Sequence, residues 1–385
     1  MRPVVALAGG WLLLGSCAHA PAGHPGSSLA DAYQDAFLVG TAVNEAIVSG
    51  RDAAASGIVL RHFNSITAEN VLKAGPINPQ PGVYNWGPAD AFVEFSERHG
   101  MFIVGHTLVW HNQTPAWFFQ DSAGNPNSSA AQVERMRAHI AAVAGRYRGR
   151  IHAWDVVNEV VDNDGSYRPT TWVRSIGDGD ELVKLAFRFA AEHAPGAELY
   201  YNDFNAWRPA KRDGIVRLVR MLQAEGIRID GVGMQGHWGL NYPKTEYIEA
   251  AIDSFGALGV KVMITELDVD VLPLTREGQI IGTVMSDPQF QLEEFEEFLD
   301  PYRGGLPVSV QQQLADRYAE LFRIFYRKRD KLERVTFWGV HDGMSWKNGY
   351  PVPGRTNYPL LFGRDGQAKP AFAVVIEVPR QQRQR

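Results

Sequence analysis

Two glutamates that follow apolar, strand-like segments are the residues best placed to do chemistry. Glu159 ends the segment "IHAWDVVNE" and Glu266 lies near the end of "KVMITELD". A carboxylate at the end of a buried strand must be paired, hydrated or functional, because removing water from an unpaired charge is costly. Two such groups can supply a proton donor and a nucleophile or base. Spacing alone does not single out this pair, since other acids lie in similar positions: Glu69, Asp203 and Asp268.

The composition indicates a globular protein and excludes some partners. The 385 residues are 45% hydrophobic and 21% charged, which is enough to bury a large core in one barrel-sized domain or two smaller ones. The formal net charge of -5 is spread without blocks of like sign. We therefore expect neither a nucleic acid partner nor a polybasic membrane patch.

The amino terminus has the pattern of an export signal. A lone Arg2 precedes an apolar run and then small residues in "MRPVVALAGGWLLLGSCAHAPA". We favour a lipoprotein signal over residues 1–16, with the single cysteine, Cys17, as the lipidated residue of "LGSC". This predicts a bacterial lipoprotein of the outer membrane or periplasm. Ordinary cleavage after Ala20 and secretion are the alternative. A flexible tether is expected over residues 17–34 and a catalytic domain over 35–385.

Eight strand candidates alternate with amphipathic segments of helical length. The strands are "AFLVGTAVN", "FNSITAEN", "FIVGHTLVW", "IHAWDVVNE", "ELYYNDFN", "IDGVGMQGH", "KVMITELD" and "VTFWGVHD". Eight such units at this length predict an α/β fold, a single (β/α)₈ TIM barrel whose active site lies at the C-terminal ends of the strands. An open doubly wound sheet is the alternative, but no glycine-rich phosphate-binding turn follows the first strand.

Polar side chains collect at the carboxyl ends of seven of these strands, as the barrel requires. Each of them alone is more often a helix cap or a paired rim group, but the repetition favours one shared site. Two carboxylates on such a rim suit glycoside hydrolysis. The residues are Glu69, Asn70, His106, Trp110, Asn158, Glu159, Tyr201, Asn202, Asp203, Gln235, His237, Glu266, Asp268, Trp338 and Asp342.

Several motifs together resemble those of one enzyme family. The chain contains "TAENVLK", "GHTLVWHNQTPAWF", "WDVVNE", "YYNDFN", "GVGMQGHW", "ITELDV", "TFWGVHDGMSW" and "GRTNYPLLF" in this order. They closely resemble glycoside hydrolase family 10, the endo-β-1,4-xylanases, from about residue 35 to residue 375. The resemblance implies a retaining endo-1,4-β-xylanase that acts on xylan or xylo-oligosaccharides without a cofactor or metal, and we expect a monomer.

The resemblance also implies a role for individual residues. Glu159 is implied as the acid/base and Glu266 as the nucleophile. Asn158 matches the asparagine that hydrogen-bonds the sugar 2-hydroxyl, and His237 with Asp268 matches the pair that holds the nucleophile. Other positions are implied to bind substrate, with Tyr201 and Asn202 on the leaving-group side: Glu69, Asn70, Lys73, His106, Trp110, Tyr201, Asn202, Gln235, Trp338 and Trp346.

Other functions are less well supported by the residues. A metal site built from His106, His111 and His237 lacks the usual zinc spacing, and no G-x-S-x-G elbow supports Ser-His-Asp hydrolysis. A glucanase on a similar barrel stays possible, whereas a binding protein without catalysis is disfavoured because both glutamates are present.

Three departures from the family pattern concern only subsites: Ala74, His341 and Gly363. The acidic stretch from Val271 to Val310 is a cleft wall or a surface excursion.

Overall fold

The computed structural model describes residues 28–272, 300–350 and 354–384. Their strands are β1 Leu38–Val43, β2 Ser65–Ala68, β3 Phe102–Val109, β4 Ala153–Asn158, β5 Glu198–Asp203, β6 Gly231–Met234, β7 His237–Gly239, β8 Lys261–Asp270 and β9 Leu332–Phe337. The α-helices are α1 Leu29–Ala32, α2 Glu45–Val48, α3 Ala53–His62, α4 Ala74–Ile77, α5 Trp86–Arg98, α6 Ser129–Arg146, α7 Thr171–Ile176, α8 Gly179–His193, α9 Pro209–Ala224, α10 Thr245–Gly256, α11 Val308–Arg327 and α12 Pro370–Arg383.

The strands close into a parallel barrel. Each strand from β1 to β5 pairs with the next, β6 pairs with β8, β8 with β9, and β9 returns to β1. The short strand β7 continues the line of β6 and also pairs with β8, so β6 and β7 together count as one of the eight strands of the closed barrel. All eight predicted strands are therefore confirmed, and the fold is the predicted (β/α)₈ barrel.

The helices pack on the outside of the barrel through one apolar face each. In α8, Leu182, Val183, Ala186 and Phe187 repeat at helical spacing and are buried. Asp178 caps this helix, because its side chain accepts a hydrogen bond from the backbone N–H of Glu181.

Strand β4 is buried along its whole length, as expected for a parallel strand covered on both faces. Trp154 on β4 occupies the space beside Gly105 on β3, where an added Cβ would lie 2.3 Å from the indole ring. The two positions that follow them in sequence face each other across the strands, since Nδ1 of His106 lies 2.8 Å from Oδ2 of Asp155. Packing at Gly105 thus fixes the strand register on which a rim side chain depends.

The end of the predicted tether belongs to the folded domain. Ser28 caps α1, and Leu29 and Tyr33 are fully buried. The hydroxyl of Tyr33 donates a hydrogen bond of 2.7 Å to the carbonyl of Val375 in α12. The tether prediction is wrong for residues 28–34, because two apolar anchors follow its Pro/Gly/Ser-rich part and pack against the last helix.

Two of the predicted features lie outside the described residues. These are the signal segment with Cys17 and most of the acidic stretch, residues 273–299. Within the three described ranges, no helix is both long enough and apolar enough to cross a membrane.

Candidate active site

The predicted site residues gather at the carboxyl end of the barrel. Glu159 directly follows β4, Glu266 and Asp268 lie in β8, and the break between β6 and β7 carries Gln235. Gly236 in this break has φ of +91°, and an added Cβ would lie 2.8 Å from Ile264. The glycine therefore permits the local bend that places Gln235 beside the glutamates.

Glu159 is held in an unfavourable backbone conformation. Its φ of +60° lies in the left-handed region, which costs a residue with a side chain about 1–2 kcal/mol. Its carboxyl oxygens accept hydrogen bonds of 2.9 Å from Nε1 of Trp110 and 2.9 Å from Nε2 of Gln235. Its backbone N–H donates to the carbonyl of Asn202 at 2.9 Å. Glu159 is half-buried, so its carboxyl group is accessible to a ligand in the rim.

Glu266 is a buried carboxylate with two strong donors. It is 5% exposed, and it accepts a hydrogen bond of 2.8 Å from Nδ2 of Asn202. Its other oxygen lies 3.1 Å from Nε2 of His237. Burial alone would raise the pKa of Glu266, but the bond from His237, the charges of His106 and His237, and the bond from Asn202 together hold it below its ordinary value. Glu266 is therefore ionised at neutral pH.

His237 supplies the positive charge that keeps Glu266 ionised. Its Nδ1 lies 3.0 Å from Oδ2 of Asp268, which also accepts a bond of 2.8 Å from Nε1 of Trp346. Burial would lower the pKa of His237, but Asp268 and Glu266 raise it to about 9. Burial likewise opposes the ionised form of Asp268, yet His237 and Lys347 keep the pKa of Asp268 below its ordinary value. The protonated imidazole thus bridges two carboxylates.

A chain of amide side chains joins the two glutamates. Nε2 of Gln235, which bonds Glu159, also lies 3.4 Å from Oδ1 of Asn158. The side-chain amides of Asn158 and Asn202 are 2.9 Å apart, and Asn202 bonds Glu266. The hydroxyl of Thr265 donates to Oδ1 of Asn202 at 2.6 Å. These contacts link the carboxyl groups of Glu159 and Glu266 through the side-chain amides of Gln235, Asn158 and Asn202.

A charged and aromatic group of residues lies beside this pair, in the segments that follow strands β2 and β3. Nζ of Lys73 donates to Oδ1 of Asn70 at 3.0 Å and lies 5.0 Å from the ring centre of Trp110. Burial lowers the pKa of Lys73, although Glu266, Glu69 and Glu159 act against this change. Burial raises the pKa of Glu69, opposed by Lys73 and Asn70. Lys73 therefore lies within electrostatic reach of all three acids.

His106 and Trp338 complete this side of the rim. Their rings make an edge-to-face contact with centroids 5.2 Å apart. Asp155 occupies Nδ1 of His106 and leaves Nε2 for a partner in the rim. Trp338 is 8% exposed, so its ring is largely a wall of the site. The structure thus brings together the residues predicted to bind substrate on this side.

Two predicted substrate contacts are placed differently by the structure. Tyr201 is fully buried, and its hydroxyl bonds Asp203 and the backbone N–H of Val161. Asn202 is also fully buried and bonds Glu266. The prediction that they bind the leaving group is wrong, because neither side chain reaches the surface. Both instead lie beneath the rim, where Asn202 bonds Glu266 and Tyr201 bonds the backbone two residues beyond Glu159.

Sequence reasoning missed three polar residues around the glutamates. Asp155 orients His106, Arg168 donates from Nε to the backbone carbonyl of Glu159 at 3.2 Å, and Lys211 pairs with Asp203 at 2.6 Å. Asp155 could have been suspected, because it is a charged residue inside an apolar strand. Nothing in the local sequence marks Arg168 or Lys211.

The metal site considered from the sequence, with His106, His111 and His237 as ligands, is not formed. Across the described residues, no three histidine, cysteine, aspartate or glutamate side chains gather as they would around a metal ion. His106 and His237 are instead paired with carboxylates, Asp155 and Asp268. Burial lowers the pKa of His111, opposed by the nearby charge of Glu159.

Comparison with known proteins identifies the family. The sequence model of glycosyl hydrolase family 10 matches residues 28–378. The chain belongs to this family. The endo-1,4-beta-xylanase A of Xylanibacter ruminicola is 43% identical over 342 residues, which cover 89% of this chain and 90% of that protein. The endo-1,4-beta-xylanase of Geobacillus stearothermophilus is 39% identical, with 91% and 98% covered.

Solved structures of the family have the same fold. A GH10 endoxylanase retrieved from a sugarcane soil metagenome superimposes with a TM-score of 0.84 at 42% identity, covering 91% of this chain and 99% of that one. The xylanase of Paenibacillus barcinonensis, complexed with a conduramine derivative, gives 0.79 at 36% identity, with 91% and 98% covered. The agreement spans nearly the whole barrel.

The three departures from the family pattern lie around the rim. Ala74 is the first residue of α4 and is buried. His341 follows β9, with its Nε2 lying 3.5 Å from Oδ2 of Asp52 at the start of α3. At Gly363, an added Cβ would lie 2.8 Å from Oδ1 of Asp365. None of the three contacts Glu159 or Glu266 through a hydrogen bond.

The bridge at His237 makes a testable prediction about protonation. Because the pKa of His237 is about 9, the ring should carry two protons at pH 7 and lose one only near pH 9. Asp268→Asn removes the largest favourable charge, so the variant should titrate at lower pH. Heteronuclear NMR of labelled histidine across pH 5–10 measures both. A wild-type ring that is already neutral at pH 7 contradicts the bridge.

Proposed function

We propose that the chain is a retaining endo-1,4-β-xylanase that hydrolyses internal β-1,4 bonds of xylan or xylo-oligosaccharides. The observation that carries this proposal is the unequal environment of the two glutamates. Glu266 is buried and kept ionised by His237 and Asn202, which suits a nucleophile. Glu159 is half-buried, and donors from Trp110 and Gln235 orient its carboxyl group, which suits an acid/base.

In the first step, Glu266 attacks the anomeric carbon of the sugar while Glu159 gives its proton to the departing glycosidic oxygen. A covalent glycosyl ester forms on Glu266, and the aglycone leaves as an alcohol. Glu159 is then a carboxylate. In the second step it takes a proton from water, whose oxygen attacks the same carbon and releases Glu266. Two inversions give net retention, and neither step needs a cofactor.

The amide chain between the glutamates supports this chemistry. Asn158 lies between Gln235 and Asn202 and so borders both carboxyl groups. An amide at this position is suited to hydrogen-bond the 2-hydroxyl of the sugar under attack, a contact that strengthens as positive charge develops on the ring. The rigid setting reduces the reorganisation that the transition state requires.

Two features support xylose as the preferred sugar. The similar proteins named above are endo-1,4-beta-xylanases. The rim around Lys73, Asn70 and Trp110 is closely packed, and Lys73 is only 6% exposed. A hydroxymethyl group, which glucose carries and xylose lacks, would need additional room there.

The substrate prediction compares three polymers. Purified protein should cleave xylan with a kcat/KM at least about 100-fold above that on soluble cellulose or mixed-linkage glucan, since a buried clash costs a few kcal/mol. Reducing-sugar release measures all three. Equal rates on xylan and cellulose contradict the xylanase assignment while leaving a glycosidase, and no cleavage of any polymer contradicts both.

The mechanistic prediction separates the two glutamates. Glu266→Ala should lose activity on every substrate, by about 10⁴-fold or more. Glu159→Ala should lose xylan cleavage but still form the glycosyl-enzyme from an aryl xyloside whose phenol leaves without protonation. Added azide should then accelerate turnover of Glu159→Ala, because the small anion replaces the activated water.

The control for this experiment is stereochemical. Proton NMR of the first product formed by the wild type should show the β-anomer, which retention requires. An α-anomer as first product contradicts the role of Glu266 as nucleophile. So does a Glu266→Ala variant that keeps activity on the activated aryl xyloside while Glu159→Ala loses it.

We also propose that the chain is an exported lipoprotein anchored through Cys17. The support is the sequence "LGSC" after an apolar run, and the single cysteine of the chain. Expression in a Gram-negative host should place the protein in the membrane fraction, and Cys17→Ser should release it to the soluble fraction. Wild-type protein that is soluble, with mass spectrometry showing cleavage after Ala20, contradicts the anchor.

A further inference from the structure

A buried polar chain lies directly behind the segment that carries Glu159. Tyr201 and Asp203 are two residues apart on β5 and therefore point to the same side of the strand. The hydroxyl of Tyr201 donates to Asp203, and Oδ1 of Asp203 lies 2.6 Å from Nζ of Lys211 in α9. All three residues are fully buried. A charged pair at this depth has no access to substrate, so its role must be exerted through its neighbours.

The other end of the chain reaches the turn after β4. The hydroxyl of Tyr201 accepts a hydrogen bond of 3.0 Å from the backbone N–H of Val161. Val161 is two residues beyond Glu159, whose φ is +60°. Strained backbone of this kind persists only where the surroundings hold it. The chain from Lys211 to Val161 therefore anchors the strained turn to helix α9.

We propose that Tyr201, Asp203 and Lys211 are positioning residues that hold the turn of Glu159, so that its carboxyl group meets the leaving-group oxygen. The inference rests on the proposed function, in which Glu159 donates the proton. Without the bond to Val161 the turn can relax toward ordinary backbone angles. Proton transfer depends steeply on distance, so a small displacement of the carboxyl group would slow it.

Backbone contacts extend the effect of this hydrogen-bonded chain to Gln235, whose side chain also bonds Glu159. The backbone N–H of Gln235 donates to the carbonyl of Asp203 at 3.0 Å, and its side chain bonds Glu159 at 2.9 Å. On the opposite side, Nε of Arg168 bonds the carbonyl of Glu159 at 3.2 Å. These contacts add to the bonds of Glu159 with Trp110 and with the carbonyl of Asn202, so β5 supports Glu159 through several of its partners.

The hydrogen-bonded chain of Tyr201, Asp203 and Lys211 also influences Glu159 through charge. Burial raises the pKa of Asp203 to about 6; Lys211 from α9 opposes the rise, and Glu159 from the loop after β4 adds to it. The hydrogen bond from Tyr201 on β5 also lowers it, and Arg168 faces Lys211. Above about pH 6, Asp203 and Lys211 form a neutral pair. Removing the negative partner should leave Lys211 without its ion pair behind the turn of Glu159.

The experiment compares two adjacent tyrosines. Tyr201→Phe removes the positioning hydroxyl, whereas Tyr200→Phe removes an equally buried hydroxyl that bonds Glu198 on the other side of β5. The measured quantity is kcat/KM on aryl β-xylobiosides, because it reports the glycosylation step alone. Weakly acidic phenols need the proton from Glu159, whereas 2,4-dinitrophenol leaves without it.

Tyr201→Phe should lose about tenfold on the phenyl substrate and less than about twofold on the dinitrophenyl substrate, part of the 10²–10⁴-fold that a general acid contributes. Tyr200→Phe should change both substrates equally. A loss in Tyr201→Phe that is the same for all phenols overturns the inference. A wild type inactive on xylan and on these xylobiosides refutes the proposed function instead.

A second variant answers the same question if Tyr201→Phe does not fold. Asp203→Asn keeps an acceptor for the tyrosine hydroxyl and removes the negative charge. Its kcat/KM should fall several-fold more on phenyl xylobioside than on the dinitrophenyl substrate, because a weaker link to Lys211 lets the turn of Glu159 relax. An equal change on both substrates overturns the inference.

Discussion

The rest of the site depends on keeping Glu266 negatively charged inside the barrel. Desolvation of a buried carboxylate favours its neutral form, which would not suit the proposed nucleophile. The protonated ring of His237 and the amide of Asn202 reverse this preference. His237 in turn keeps its proton because Asp268 lies opposite it across the pair of β7 and β8. Three charges that would each be unfavourable alone are stable together.

The sixth strand of the barrel is interrupted between β6 and β7, where it carries part of this arrangement. The break between β6 and β7 turns Gln235 toward Glu159 and places His237 beside Glu266. Gly236 makes the break possible, because its φ of +91° and its close contact with Ile264 disfavour any side chain.

The second glutamate is held by backbone and by hydrogen bonds that do not add charge. Glu159 takes a left-handed turn at the end of β4, and its carboxyl group is oriented by an indole and an amide. Neutral donors orient a carboxyl group without fixing it in the ionised state as strongly as a cation would. The two carboxyl groups thus differ in environment although both end barrel strands, and this difference permits two chemical roles.

Much of this protein could be predicted from the sequence, because the signals are local. Eight apolar segments alternate with amphipathic helices, and acids and amides follow the strands, so the barrel and the glutamates at its rim were accessible to pattern and resemblance. The tether was predicted too long, because composition does not reveal that Leu29 and Tyr33 pack on α12.

Only the tertiary structure decided which of the predicted site residues can contact a substrate and which are buried beneath the rim and support other side chains. Tyr201 and Asn202 stand in a motif that suggests the leaving-group side, yet both are fully buried. Lys211 comes from a helix whose sequence gives no reason to place a cation behind the active site. Sequence determines the residue types along each strand, whereas depth in the barrel and contacts between strands and helices arise only when the strands close into the barrel. Burial and hydrogen-bond partners then assign each polar residue its role.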